Sequence, residues 1–130
     1  MIPLKTKDEL DIMRENGRIL ARVLREVCGE VAPGVSTASL DRRAEEMILR
    51  EGARPAFKGY RGFPATLCTS INDEIVHGIP SGKRILREGD ILSIDIGLVR
   101  NGYYADMATT VPVGEVSACL LYTSPSPRDS

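Results

Sequence analysis

Residues 93–110 read SIDIGLVRNGYYADMATT, and they decide the fold. Asn101-Gly102 is the strongest short signal for a tight β-hairpin, because a type I′ turn needs positive φ at both central positions. With that pair as the loop, Arg100 stands opposite Tyr103. Leu92, Ile94, Ile96 and Leu98 then share one face with Val111, Thr109, Met107 and Ala105. The register that the turn dictates is the register that gathers the apolar residues on one side. The other face carries Ser93, Asp95 and Gly97 against Thr110, Ala108 and Asp106. Asp95 and Asp106 thereby become diagonal neighbours, with Cβ atoms about 7 Å apart or somewhat less. A loop one residue longer or shorter turns one of them to the opposite side.

Two carboxylates at that separation repel, and ionising both in a semi-buried site is costly. Three arrangements meet the difficulty: the face is solvated, one carboxylate keeps a proton, or cations sit between them. Metal pairs in hydrolases lie about 3.5–4 Å apart, which suits one bridging and one bidentate carboxylate. Gly97 and Ala108 are small neighbours that leave room on this face. His77 is the single histidine, and a lone histidine is more often packed or exposed than catalytic. Its setting in IVHGIP puts the ring at a strand end beside a tight turn, a position from which it can polarise a partner. No serine or cysteine nucleophile can be assigned. Gly78 and Gly82-Lys83-Arg84 lack phosphate-loop spacing, which excludes nucleotide binding of that kind.

Working outward, Thr6-Lys7-Asp8-Glu9 has the form of a capping box. Leu10, Met13, Leu20, Val23, Leu24, Val27 and Val31 follow at helical spacing, so a long amphipathic helix ends before Ala32-Pro33-Gly34. Gly17 weakens it by about 1 kcal/mol relative to alanine. A second helix starts near Ser36 or Thr37, with Leu40, Ala44, Met47 and Ile48 as its stripe and Gly52 at its stop. Both stripes are core. RPAFKGYRGFPATLCTS from Arg54 reads as a structured loop leading into a strand near residues 66–70. Asn72-Asp73 is a turn, followed by a short apolar run to Pro80, and Arg87-Glu88-Gly89-Asp90 is a further turn.

The chain has 130 residues, enough for one domain with a real core. Its 42% hydrophobic and 27% charged residues are those of a soluble globular protein, and a net charge of −1 provides no basic footprint for nucleic acid. Cys28, Cys68 and Cys119 form no CxxC, which argues against a structural zinc or a disulfide framework and fits a reducing compartment. The N-terminus is too polar for a signal peptide and no run reaches transmembrane length, so a cytoplasmic location is expected. ACLLYTSPSPRDS breaks abruptly from what precedes it. From Cys119 to Asp129 it resembles, in one reading frame, a translated sequencing-library adapter. The expected organisation is one truncated domain over residues 1–118 and an artefactual or disordered tail over residues 119–130.

TSINDEIVHGIP, GDILSIDIG and NGYYADMATT, in that order, resemble the short type I methionine aminopeptidase family. The likeness runs from Met1 to about Val116 and includes KTKDELDIMRENGRILARVL and APGVSTASLDRRAEEMI. It implies an α+β chain, the N-terminal half of the creatinase/aminopeptidase-like pita-bread fold, with two long helices and a curved antiparallel sheet. It also implies a metalloaminopeptidase that removes the initiator methionine from nascent polypeptides. Asp95 and Asp106 match the family's first two metal ligands, with Asp106 bridging two divalent ions (Co, Mn, Fe or Zn) that share and acidify a water. His77 matches the histidine that hydrogen-bonds substrate near the scissile peptide. Phe57, Tyr60, Phe63 and Cys68 match the lining of the methionine pocket, where aromatic walls suit a thioether.

The family draws one further histidine, two glutamate ligands and a glutamate proton shuttle from its second half, and this sequence has no second histidine. The chain alone is therefore expected to be inactive and poorly folded, and the full-length protein a monomer with possible ribosome contact and no membrane partner. Two other functions share the pattern. A proline-specific aminopeptidase uses the same paired aspartates, although IVHGIP argues against it. A non-catalytic pita-bread binding protein keeps the fold and loses ligands.

Overall fold

The computed structural model describes residues 6–72 and 78–114. Helix α1 is Lys7–Gly29 and helix α2 is Thr37–Arg50. Strands β1 (Arg54–Pro55), β2 (Leu67–Ile71), β3 (Ile91–Arg100) and β4 (Tyr103–Pro112) form one antiparallel sheet. The expected tail and the apolar run before Gly78 lie outside the described residues.

The hairpin has the register that its turn requires. Asn101 and Gly102 have φ of 54° and 82°, and Arg100 pairs with Tyr103. Asp95 pairs with Ala108 and Gly97 with Asp106. β4 occupies one edge of β3 along its full length, so β1 and β2 follow one another along the other edge. The chain between them, residues 56–66, leaves the sheet and returns to it.

Both helices pack on the apolar face. Leu92, Ile94, Ile96 and Leu98 of β3 are fully buried, together with Leu20, Val23 and Val27 of α1 and Leu40, Ala44 and Ile48 of α2. Each large side chain buried this way contributes about 1.5–3 kcal/mol. The capping box on α1 forms, with Glu9 N–H donating to Thr6 Oγ1 at 3.1 Å and Thr6 N–H to Glu9 Oε1 at 2.9 Å. Ser36 caps α2, and Gly52 follows its C-cap in the left-handed region at φ 76°.

Three details differ from the sequence-based expectation. Leu10 is exposed, whereas Asn16 and Ile19 belong to the buried stripe of α1. The strand expected over residues 66–70 is Leu67–Ile71, and where it begins Asp41 Oδ1 of α2 accepts from both Thr66 N–H and Leu67 N–H, at 2.9 and 2.7 Å. A two-residue strand, β1, also precedes the loop. Its proline is tolerated because it lies at a strand edge, and Ala56 N–H extends the pairing to the Gly97 carbonyl at 3.0 Å.

Candidate functional site

Residues directly opposite in an antiparallel pair project to the same face. Cys68 of β2, Asp95 of β3 and Ala108 of β4 therefore form a row across the sheet, on the face away from the helices. The next row toward the hairpin turn holds Gly97 and Asp106. Two residues the other way, Ser93 Oγ and Thr110 Oγ1 lie 3.2 Å apart, so the row below the carboxylates is closed by a hydroxyl pair.

Asp95 is half-buried and Asp106 is exposed. Neither takes part in an ion pair among the described residues. They line a cavity of about 700 Å³ with Ala108 and Phe57. Met107 and Thr109 also reach it although they face the helices, because the cavity lies at the far edge of β4, where no described strand pairs.

Beside it lies a second cavity of about 680 Å³, lined by Phe57, Tyr60, Phe63, Cys68 and Asp95 among others. All four residues expected to line a methionine pocket thus meet in one cavity. Backbone geometry explains how: Gly59, Arg61 and Gly62 have φ of 86°, 50° and 79°, which folds residues 57–63 back over the sheet. Arg61 is the unusual member, a non-glycine in the left-handed region, with its guanidinium 5.4 Å from the Tyr60 ring centroid. Burial, and secondarily the charge of Asp95, push the Cys68 thiol up, so it remains neutral.

The room expected above Gly97 is partly taken. A Cβ there would lie 3.1 Å from Phe57 Cε1 and 3.3 Å from the Ala105 carbonyl oxygen. Glycine at this position lets the Phe57 ring close onto the sheet between the two cavities. Gly78 is required more strictly, since its Cβ would lie 1.9 Å from the Thr69 carbonyl oxygen. Thr69 N–H donates to the Gly78 carbonyl at 3.0 Å and pins that residue to β2. His77 lies outside the described residues.

Oxygen donors in this pattern suit a hard or borderline divalent cation. No third histidine, cysteine, aspartate or glutamate joins them in a metal-binding group among the described residues. The pair fits a cation as part of a donor set. Sequence reasoning missed Asp41, whose carboxylate holds the start of β2, and Asn16, described below. Asn16 left one sign, a polar residue on the apolar stripe of α1.

An antiparallel sheet covered by two helices on one face, with paired carboxylates on the other, is a scaffold able to hold a divalent cation. The chain matches the metallopeptidase family M24 over residues 11–123 and belongs to it. It is 54% identical over 117 residues to methionine aminopeptidase 1 of Bacillus subtilis, covering 90% of this chain and 47% of that protein. The crystal structure of methionine aminopeptidase from Thermotoga maritima superposes with a TM-score of 0.89 at 36% identity, over 99% of this chain and 52% of that one. The Rickettsia prowazekii methionine aminopeptidase gives 0.86 at 36% identity, over 94% and 49%. The fold is accordingly the pita-bread arrangement, and the chain spans about half the length of the relatives it matches.

Proposed function

We propose that this chain supplies the methionine-binding half of a methionine aminopeptidase, which removes the initiator methionine from nascent polypeptides. One observation carries the reading: Asp95 and Phe57 line both cavities, so a candidate metal ligand borders a pocket walled by aromatic rings and a thiol. Relatives named for the same activity support it.

Asp95 and Asp106 would hold two divalent ions together with donors from outside the described residues. Those ions would supply Lewis acidity and a water acidic enough to ionise near neutral pH. Phe57, Tyr60, Phe63 and Cys68 receive the methionine side chain and exclude water from it. His77 donates a hydrogen bond to the substrate near the scissile peptide, a role supported by the bridge that fixes its neighbour Gly78 to β2. The setting is cytoplasmic, with the full-length enzyme a monomer acting on chains as they leave the ribosome. No helix among the described residues is long and apolar enough to cross a membrane.

A chimera tests this. Residues 1–114 are joined to the remaining half of the Bacillus subtilis relative and assayed on Met-Ala-Ser with Mn²⁺ or Co²⁺. Metal-dependent methionine release is expected from the chimera and none from the 130-residue chain. A folded, metal-loaded chimera that leaves the peptide intact, or that cleaves only before proline, overturns the reading.

A further inference from the structure

A third cavity of about 480 Å³ lies at the β1 edge of the sheet, between Glu45 and Leu49 of α2 and the end of the carboxylate face, and is not used by the function above. Arg54 of β1 pairs with Val99 of β3, which pairs with Tyr104 of β4. These three residues make a row parallel to the Gly97–Asp106 row and two residues further toward the turn. Strands advance about 3.3 Å per residue, so the rows are roughly 7 Å apart. Tyr60 lines both this cavity and the aromatic one, so the two are neighbours. Tyr60 and Tyr104 are 64% and 71% exposed, although ring area of this size is normally covered by something.

The charge is uneven as well. Lys58 and Glu45 in this cavity neutralise each other at 2.6 Å. Arg54 is exposed and makes no ion pair among the described residues. The cavity therefore offers two open rings and one unspent cation.

We propose that this cavity is a subsite for the downstream segment of a polypeptide substrate, and that Arg54 makes it favour an acidic side chain. The proposal rests on the reading that an N-terminal methionine occupies the neighbouring cavity. An extended peptide covers the roughly 7 Å between rows in two residues, so the favoured carboxylate lies two or three positions past the cleaved bond. Tyr60 and Tyr104 flank the peptide, and Arg54 selects its charge.

The test is peptide binding to the ¹⁵N-labelled 130-residue chain without metal, followed by amide shifts. Three peptides are compared: Met-Ala-Glu-Glu-Ser, Met-Ala-Lys-Lys-Ser and Ala-Ala-Glu-Glu-Ser. The acidic methionine peptide is expected to bind about threefold more tightly than the lysine peptide, the scale of one exposed ion pair. It should shift Val99 and Tyr104, lose its advantage near 0.5 M salt, and bind more weakly than the lysine peptide to Arg54→Glu. Equal affinity of the two methionine peptides, an unchanged preference in Arg54→Glu, or silent Val99 and Tyr104 amides overturns the subsite. The alanine peptide judges the methionine reading separately. If it binds as tightly as its methionine counterpart while Arg54→Glu still reverses the charge preference, the methionine pocket fails and the acidic subsite stands.

Discussion

The side-chain amide of Asn16 donates to the backbone carbonyl of Tyr103 at 3.0 Å, joining the middle of α1 to the hairpin 87 positions later. The same Nδ2 donates to the Arg100 carbonyl at 3.0 Å, and Oδ1 accepts from Arg100 Nη1 at 3.3 Å. Tyr103 Oη also donates to Glu9, the residue that closes the capping box. The turn that sets the carboxylate register is thus held against the helix from two points.

Asn16→Ala removes both donors from a fully buried site and leaves two carbonyls short of partners. An unsatisfied buried group costs about 1–3 kcal/mol. With these carbonyls partly buried, the substitution should destabilise the fold by about 2 kcal/mol. Urea unfolding measures it, and a loss below about 0.5 kcal/mol would show that the clamp contributes little.

Gly17 lies one position further along the same helix and has open space where a Cβ would stand. Gly17→Ala should therefore gain the full helix-propensity difference of about 1 kcal/mol. Thermal unfolding should move up by roughly 3–5 °C. No gain, or a loss, would mean that the position serves something besides the helix.

Two carboxylates on α2 shift in opposite directions. Glu45 is held below the usual carboxylate range, mainly by its hydrogen bond to Lys58, with Thr66 Oγ1 donating to it as well. Asp41 is raised, because burial outweighs its two backbone donors. The lowered group contributes stability that is present above its unfolded pKa and lost as pH falls through the native one. The raised group does the reverse and loses its contribution as pH climbs through its native value. Glu45→Gln should accordingly be less stable than the parent at pH 7, and the gap should close toward pH 3. Denaturation midpoints at the two pH values check this, and a gap that widens in acid contradicts the assignment.

The hairpin was legible because Asn101-Gly102 and the alternation of Leu92, Ile94, Ile96 and Leu98 are local signals that agree. The capping box at Thr6 and the stop at Gly52 were legible for the same reason. Asn16 was not, because its partners are backbone carbonyls that no side-chain pattern records. β1 was hidden by its length and its proline. The aromatic cavity could be assigned only by family likeness. Three positive φ values at residues 59, 61 and 62 gather Phe57, Tyr60 and Phe63, and one of them falls on an arginine, where local propensity points elsewhere. Asp41 carries no local mark in the sequence, and only the position of β2 shows what it holds.

The carboxylate pair makes the most direct prediction. Asp106 is exposed and Asp95 half-buried, so replacing either by asparagine removes charge without opening the core. Sites built from few carboxylates and otherwise solvated bind divalent ions at roughly 10⁻⁴–10⁻³ M or more weakly. Mn²⁺ added to the 130-residue chain should therefore broaden amide signals around Asp95, Ala108 and Asp106 at sub-millimolar to millimolar concentration, and leave those of α1 sharp. Asp106→Asn should abolish the effect while the dispersion of the spectrum stays that of the parent. Broadening spread evenly over the acidic surface, including the exposed Asp11 and Glu46, would mean that the two aspartates form a solvated face with no special hold on a cation. Broadening centred on residues 95 and 106 and lost in both asparagine variants would identify them as a preformed part of the metal site, before any further ligand is added.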